Sequence, residues 1–149
     1  MKGFPDIPPI WWVASIALIH AFRWVAPGLH AEIAILEFLS RVIFAAALAL
    51  IMWSAILFWR KKTPIEPHHT PKALIVEGPY KVSRNPIYLA LVMLTAASAL
   101  GAGSVFGLFV TLALWRVLDA RFAAIEEELL KETFGGEAEA YLVQTRRWI

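Results

Sequence analysis

The chain has no cysteine among its 149 residues. That absence excludes disulfides, thiolate metal sites and a cysteine nucleophile. Charge is scarce as well: Asp, Glu, Lys and Arg make up 17% of the residues, where a soluble domain carries about a quarter. The net charge of +2 is too small to point to nucleic acid. The opening MKGFPDIPPI holds one Lys and several Pro and Gly breaks. It lacks a short apolar core followed by a small-residue cleavage site, so a cleaved leader is not expected.

Apolar residues fill the space that charge leaves. They account for 59% of the chain, with seven Trp and nine Phe. Such a composition belongs to a membrane protein, and the length allows one domain, 1–149. The expected fold class is all-α and integral to the membrane, with spans near 10–26, 37–59, 86–100 and 105–121. Pro8-Pro9 and Pro27-Gly28 bound the first span, and Trp11, Trp12 and Trp24 lie near its ends, as an aromatic belt would. The second includes residues 42–59, eighteen residues without a charge, long enough to cross. Residues 86–115 carry no charge at all. As one helix they would run ~45 Å against a hydrocarbon core of ~30 Å. Gly101, Gly103, Ser104 and Gly107 interrupt them, so a tight helical hairpin is expected in preference to one tilted helix.

Arg60, Lys61, Lys62, Lys72, Lys81 and Arg84 all fall in the connector 60–85, whereas the connector 27–36 has no Lys or Arg. The positive-inside bias places 60–85, and with four spans both termini, in the cytoplasm. Beyond the hairpin, residues 117–134 read as an amphipathic helix. Leu118, Phe122, Ile125, Leu129 and Phe134 mark its apolar stripe, and Glu126, Glu127, Glu128 and Glu132 cover the other faces. Gly135-Gly136 stop it. A short last helix is expected in the tail, with Trp148-Ile149 docking on the bundle or on the interface.

Four groups of ionisable residues need a reading. His20 and Arg23 share a helix face. They are functional candidates inside a membrane, or else Arg23 snorkels and His20 pairs within the bundle. Glu37 and Arg41, acid first at i, i+4, read as a helix-end ion pair. His68-His69 lack a third ligand at a known spacing, so no metal site is expected. The fourth group surrounds residues 77–90, EGPYKVSRNPIYLA, the last polar segment before the most apolar part of the chain. Pro86 pre-sets a helix start and biases Asn85 away from helix. Asn85 is thus a candidate N-cap whose side-chain oxygen faces the first free amides. A structured loop meeting a helix N-terminus at a membrane surface suits an anionic or carboxylate-bearing cofactor.

Gly78-Pro79-Tyr80, Arg84-Asn85-Pro86 and Tyr88 are followed by Glu126-Glu127, Phe134-Gly135 and Arg147-Trp148. These blocks, across roughly 63–149, resemble the signature of integral-membrane methyltransferases related to isoprenylcysteine carboxyl methyltransferase and the phospholipid methyltransferases. The resemblance implies S-adenosyl-L-methionine as cofactor and S-adenosyl-L-homocysteine as product. That cofactor needs acids for its cations and ribose, donors for its carboxylate and an apolar slot for its adenine. By resemblance Glu126 and Glu127 hold the amino group or ribose. Gly78, Tyr80, Arg84, Asn85, Pro86 and Tyr88 form the opposite wall. Leu74 and Ile75, with Val76, either line the adenine slot or pack the loop on the bundle. No catalytic residue stands out; Arg147 is a candidate for orienting the acceptor. The acceptor would be small or lipid-like, arriving from the bilayer of a bacterial or archaeal inner membrane. Asn85 replaces the His of the prenylcysteine enzymes, and Ala138 replaces the first of two tyrosines, of which Tyr141 keeps the second. Four spans are also fewer than in the eukaryotic prenylcysteine enzyme, which counts against a prenylated protein as substrate. Two rival readings are an NADPH-dependent reductase related to the sterol reductases and a non-catalytic membrane scaffold that retains the fold.

Overall fold

The structure is a computed structural model that describes residues 6–63 and 71–149. Pro64, Pro67 and the His68-His69 pair lie outside the described residues. Among the described residues the fold is helical and without strands: α1 (Pro8–Val25), α2 (Ala34–Lys61), α3 (Pro86–Gly101), α4 (Val105–Leu118), α5 (Ala124–Phe134) and α6 (Gly136–Gln144). The first four form a bundle in which α3 packs along α2, and α4 packs on α3 and α1. Each helix runs antiparallel to the next. One end of the bundle therefore gathers the start of α1, the end of α2, the start of α3 and the end of α4. We call this the site face, and the opposite end the far face.

Local chemistry explains the boundaries. Pro sits in the first turn of both α1 and α3, where its missing N–H has no helical partner to lose. Lys62 ends α2 in the left-handed conformation, φ 52°, and its N–H closes on the last carbonyls. The second span is three residues longer than expected at its start and two at its end. Its 28 residues give ~42 Å of helix. By length and composition it can cross a membrane, and only 17% of its most apolar window is buried inside the protein. A helix that hydrophobic and that uncovered needs lipid as its outer solvent. The apolar helix α3 is shorter.

The hairpin between α3 and α4 forms as expected. Ser104 caps α4, accepting from the Gly107 N–H at 3.2 Å. Gly103 adopts φ +58°, and a Cβ there would lie 1.9 Å from the Ala31 carbonyl oxygen. That close approach lets the Gly103 carbonyl accept from the Ala31 N–H at 3.1 Å, which ties the α1–α2 connector to the hairpin. Gly103→Ala is expected to cost about 2 kcal/mol through backbone strain alone. Thermal unfolding in detergent checks it, and an unchanged midpoint would show the hairpin free to move away.

The helix expected over 117–134 needs a correction. Residues 119–123 form a π-turn, closed by the Ala124 N–H on the Asp119 carbonyl. One extra residue in a turn rotates everything downstream. Leu118 and Phe122 are buried as the stripe predicted, but Ile125 is 47% exposed and Glu127 is buried instead. The apolar stripe does not continue in register past Ala123. The tail then folds back: α6 follows Gly135, and Trp148 packs against Trp115 at 6.0 Å between ring centroids. Of the two places open to the Trp148 end, it takes the bundle.

Candidate active site

The signature loop is anchored on α2. Gly78, at φ +60°, opens a 3-10 turn through Lys81, and a Cβ on it would meet the Trp53 indole at 2.9 Å. The turn drives Tyr80 into a cluster with Leu57 and Ile75, edge-on to Phe58. Ile75 therefore packs the loop on the bundle, while Leu74 stays half-buried beside it. Burial holds the Tyr80 phenol far above its ordinary range, so it is a neutral hydrogen-bonding group at any physiological pH. Lys61 at the end of α2 pairs with Glu77 at 3.0 Å.

The tail clamps the same loop from the other side. The Tyr141 hydroxyl donates to the Tyr80 carbonyl at 2.8 Å, and buried Ala138 lies on the same helix. Tyr141→Phe leaves that carbonyl without its donor and is expected to cost about 1–2 kcal/mol; chemical denaturation of the purified chain measures it. Ser83 pairs in a β-bridge with Arg146. The Arg84 N–H donates to the Arg146 carbonyl at 2.9 Å. The Ser83 hydroxyl and the Asn85 side-chain amide donate to the Arg147 carbonyl at 3.2 and 3.3 Å.

Asn85 is the N-cap residue of α3 by position, but its side chain makes no capping bond. The expected cap is corrected: the amide is drawn to the tail, and the Ser83 hydroxyl accepts the Asn85 N–H instead. Pro86, buried in the first turn, has no N–H that such a cap could have satisfied.

The two adjacent glutamates meet different environments. Glu127 is 8% exposed. Arg147 grips it with two parallel bonds of 2.7 Å, from Nε and one Nη, and Arg84 adds a third contact at 3.3 Å. A fork-on-fork pair of this kind is directional and strong. The other Nη of Arg147 reaches Asp119 at 3.1 Å, and Asp119 also accepts from the Trp148 indole at 2.9 Å. Glu127 is thus the acid of a carboxylate–guanidinium network that pins the tail. Arg147, the candidate for acceptor orientation, belongs to that network.

Glu126 has no Lys or Arg partner among the described residues. It accepts a hydrogen bond from the Tyr88 hydroxyl, and the Tyr88 ring lies 6.2 Å from that of Phe122. Burial pushes its carboxyl up from an ordinary 4.5 to about 7, with the Tyr88 hydrogen bond acting the other way. A second unmet group belongs to the charged network around Glu127: the Nε–H of Arg84 is buried without a hydrogen-bond partner among the described residues.

The structure therefore sorts the expected site residues into two neighbouring groups. Tyr80, Tyr88 and Glu126 form a polar cluster against the apolar core, and Arg84, Asn85, Glu127 and Arg147 form a charged clamp. Gly78 and Pro86 shape the backbone between them. Ser83 and Asp119 were missed. Ser83 lies inside the signature stretch, but nothing in its spacing shows a bond to residue 147. Asp119 is the one carboxylate within 105–121, and that isolation was the available signal.

The family model for phospholipid methyltransferase matches residues 35–137, which takes in α2, the signature loop, the hairpin and both glutamates. Among curated proteins, and among solved structures, nothing matches.

Proposed function

Since this chain belongs to the phospholipid methyltransferase family, it is a membrane methyltransferase in kind, and we propose that it transfers a methyl group from S-adenosylmethionine to a small or lipid-like acceptor. The observation that carries this reading is the divergence of the two glutamates. Glu127 is consumed by Arg147 and Arg84, while Glu126 is a half-buried acid without a Lys or Arg partner among the described residues, and the neighbouring clamp holds a guanidinium whose Nε–H has no partner among them. A cofactor bearing both an ammonium and a carboxylate fits that pair of unmet demands.

When bound, the cofactor supplies an electrophilic methyl on a sulfonium. Glu126 would hold its ammonium, and the Arg84 Nε–H would take its carboxylate. Tyr80 and Tyr88 set hydroxyls at the cluster, and half-buried Leu74 offers the apolar edge. The residues here align and exclude water, which is what an in-line displacement requires. Both guanidiniums at the clamp are permanently charged, so neither serves as a base.

In this reading the bundle crosses the membrane four times, with the site face and both termini cytoplasmic. The acceptor comes from the bilayer and the cofactor from the cytoplasm. The clustering of Lys61, Lys62, Lys81 and Arg84 at the site face supports that orientation. The reductase reading would need a set of arginines for a 2′-phosphate, and at this site Arg147 is tied to Glu127 and Asp119. Calorimetry with S-adenosylhomocysteine on the detergent-purified chain tests the proposal. Micromolar binding that Glu126→Gln weakens supports it, and no binding by a folded sample favours the scaffold.

A further inference from the structure

α1 and α2 scarcely touch, because α2 leans on α3 and α1 leans on α3 and α4. Between them lies a groove of ≈ 450 Å³. Its inner end is apolar, with Trp12, Ile16 and Leu94, and its outer end presents His20, Arg23 and Arg41. Among the described residues no carboxylate lines it. The flanking acids, Glu32 and Glu37, reach the two arginines from outside the groove at 3.7 and 3.4 Å. Glu32 is 85% exposed and Arg41 78% exposed. Such pairs contribute little and exchange readily with solvent or a better partner. His20 shares a hydrogen bond with the Ser98 hydroxyl at 3.1 Å.

The depth of the cationic end is set by α2. Arg41 precedes and Arg60-Lys61 follow the uncharged run 42–59, and twenty residues of helix separate Arg41 from Lys61 by ~30 Å, the thickness of the hydrocarbon core. If Lys61 stands at the site-face boundary, Arg41 stands at the far one, where lipid phosphates lie. From Arg23 back to Trp12 is a further ~16 Å along α1, room for most of an acyl chain beside the apolar wall.

We propose that this groove is a binding site for an anionic phospholipid of the far leaflet. Its phosphate is held by Arg23, Arg41 and His20, and one acyl chain lies between α1 and α2. The occupant is not the methyl acceptor, because its headgroup sits a full hydrocarbon thickness from Glu126. It fills the gap that α1 and α2 leave and so braces α1 against the bundle. Two guanidiniums facing one phosphate favour a negatively charged headgroup over a zwitterionic one, whose own cation would meet like charge.

The full chain, purified in mild detergent, would be titrated with phosphatidylglycerol or phosphatidylcholine of matched chains. Bound lipid is read by native mass spectrometry and unfolding temperature by a thermal shift. The expected result is one tightly held phosphatidylglycerol, at least tenfold preferred over phosphatidylcholine. Arg23→Gln with Arg41→Gln should abolish the preference. Ile16→Trp, which fills the groove and leaves both arginines, should abolish retention. Binding of S-adenosylhomocysteine should persist in all these variants, which shows that they fold. Equal retention of the two lipids, or a preference that survives Arg23→Gln/Arg41→Gln, overturns the proposal. So does equal stabilisation by inorganic phosphate, which would make this an anion site without a lipid.

Discussion

Glu127→Ala is expected to destabilise the protein by about 3–5 kcal/mol, the cost of removing one partner from a buried ion pair. The carboxylate is 10% exposed and is shared by Arg147 and Arg84. Without it two guanidiniums face each other across the gap and the tail loses its strongest anchor. For a chain of this length that loss corresponds to a fall of roughly 10 °C in unfolding temperature. Arg147→Ala should cost less. Glu127 would keep Arg84, and Asp119 would keep Arg116 and the Trp148 indole. The double variant Glu127→Ala/Arg147→Ala should therefore lose less than the sum, with a coupling of about 1–3 kcal/mol. Thermal unfolding of the four proteins in one detergent closes the cycle. The alternative is that Glu127 is a cofactor ligand whose bond to Arg147 is incidental. In that case Glu127→Ala would unfold within a degree or two of the native chain and lose cofactor binding instead.

This network shows where reading the sequence stops. The bundle was legible because its signals are local. Proline pairs mark helix starts, an eighteen-residue uncharged run marks α2, and glycines and Ser104 mark the hairpin. Tyr80, Tyr88, Arg84 and the two glutamates were legible as a set because the motif blocks keep their order and spacing. The separate surroundings of Glu126 and Glu127 were not. Adjacent residues on a helix differ by about 100° in direction, so which one turns inward depends on the phase of the helix. That phase is reset by the π-turn at 119–123, and a uniform 3.6-residue stripe cannot register it. The reach of Ser83 and Asn85 to the single Arg147 carbonyl, more than sixty residues away, is equally silent in the sequence. It exists because the tail returns to the site face, held there by the Arg147–Glu127 pair, the Tyr141 hydroxyl and the packed Trp148.

Glu126→Gln is expected to make the protein more stable at high pH and to weaken cofactor binding there. The two effects share one cause. The carboxyl is raised from 4.5 to about 7 by burial, so the folded chain keeps a proton that the unfolded chain has released. Between pH 4.5 and 7 stability must therefore fall as pH rises, by roughly 3 kcal/mol in total, and stay low above that window. A glutamine has no proton to lose, so the variant should match the native chain near pH 4.5 and exceed it above pH 7. Binding runs in the opposite sense. A ligand ammonium requires the carboxylate, so below pH 7 each bound S-adenosylhomocysteine must displace a proton. Affinity is expected to rise about tenfold per pH unit up to pH 7 and then level off. In Glu126→Gln that slope should vanish, with affinity above pH 7 lower by about 30-fold or more, the scale of losing a buried charge-paired hydrogen bond. Calorimetry at pH 6 in two buffers of different ionisation enthalpy counts the displaced proton directly, and close to one per ligand is expected. An affinity that stays flat from pH 5.5 to 8.5, with no proton released, would mean that Glu126 is a neutral packing partner of Tyr88 and that the cation is held elsewhere.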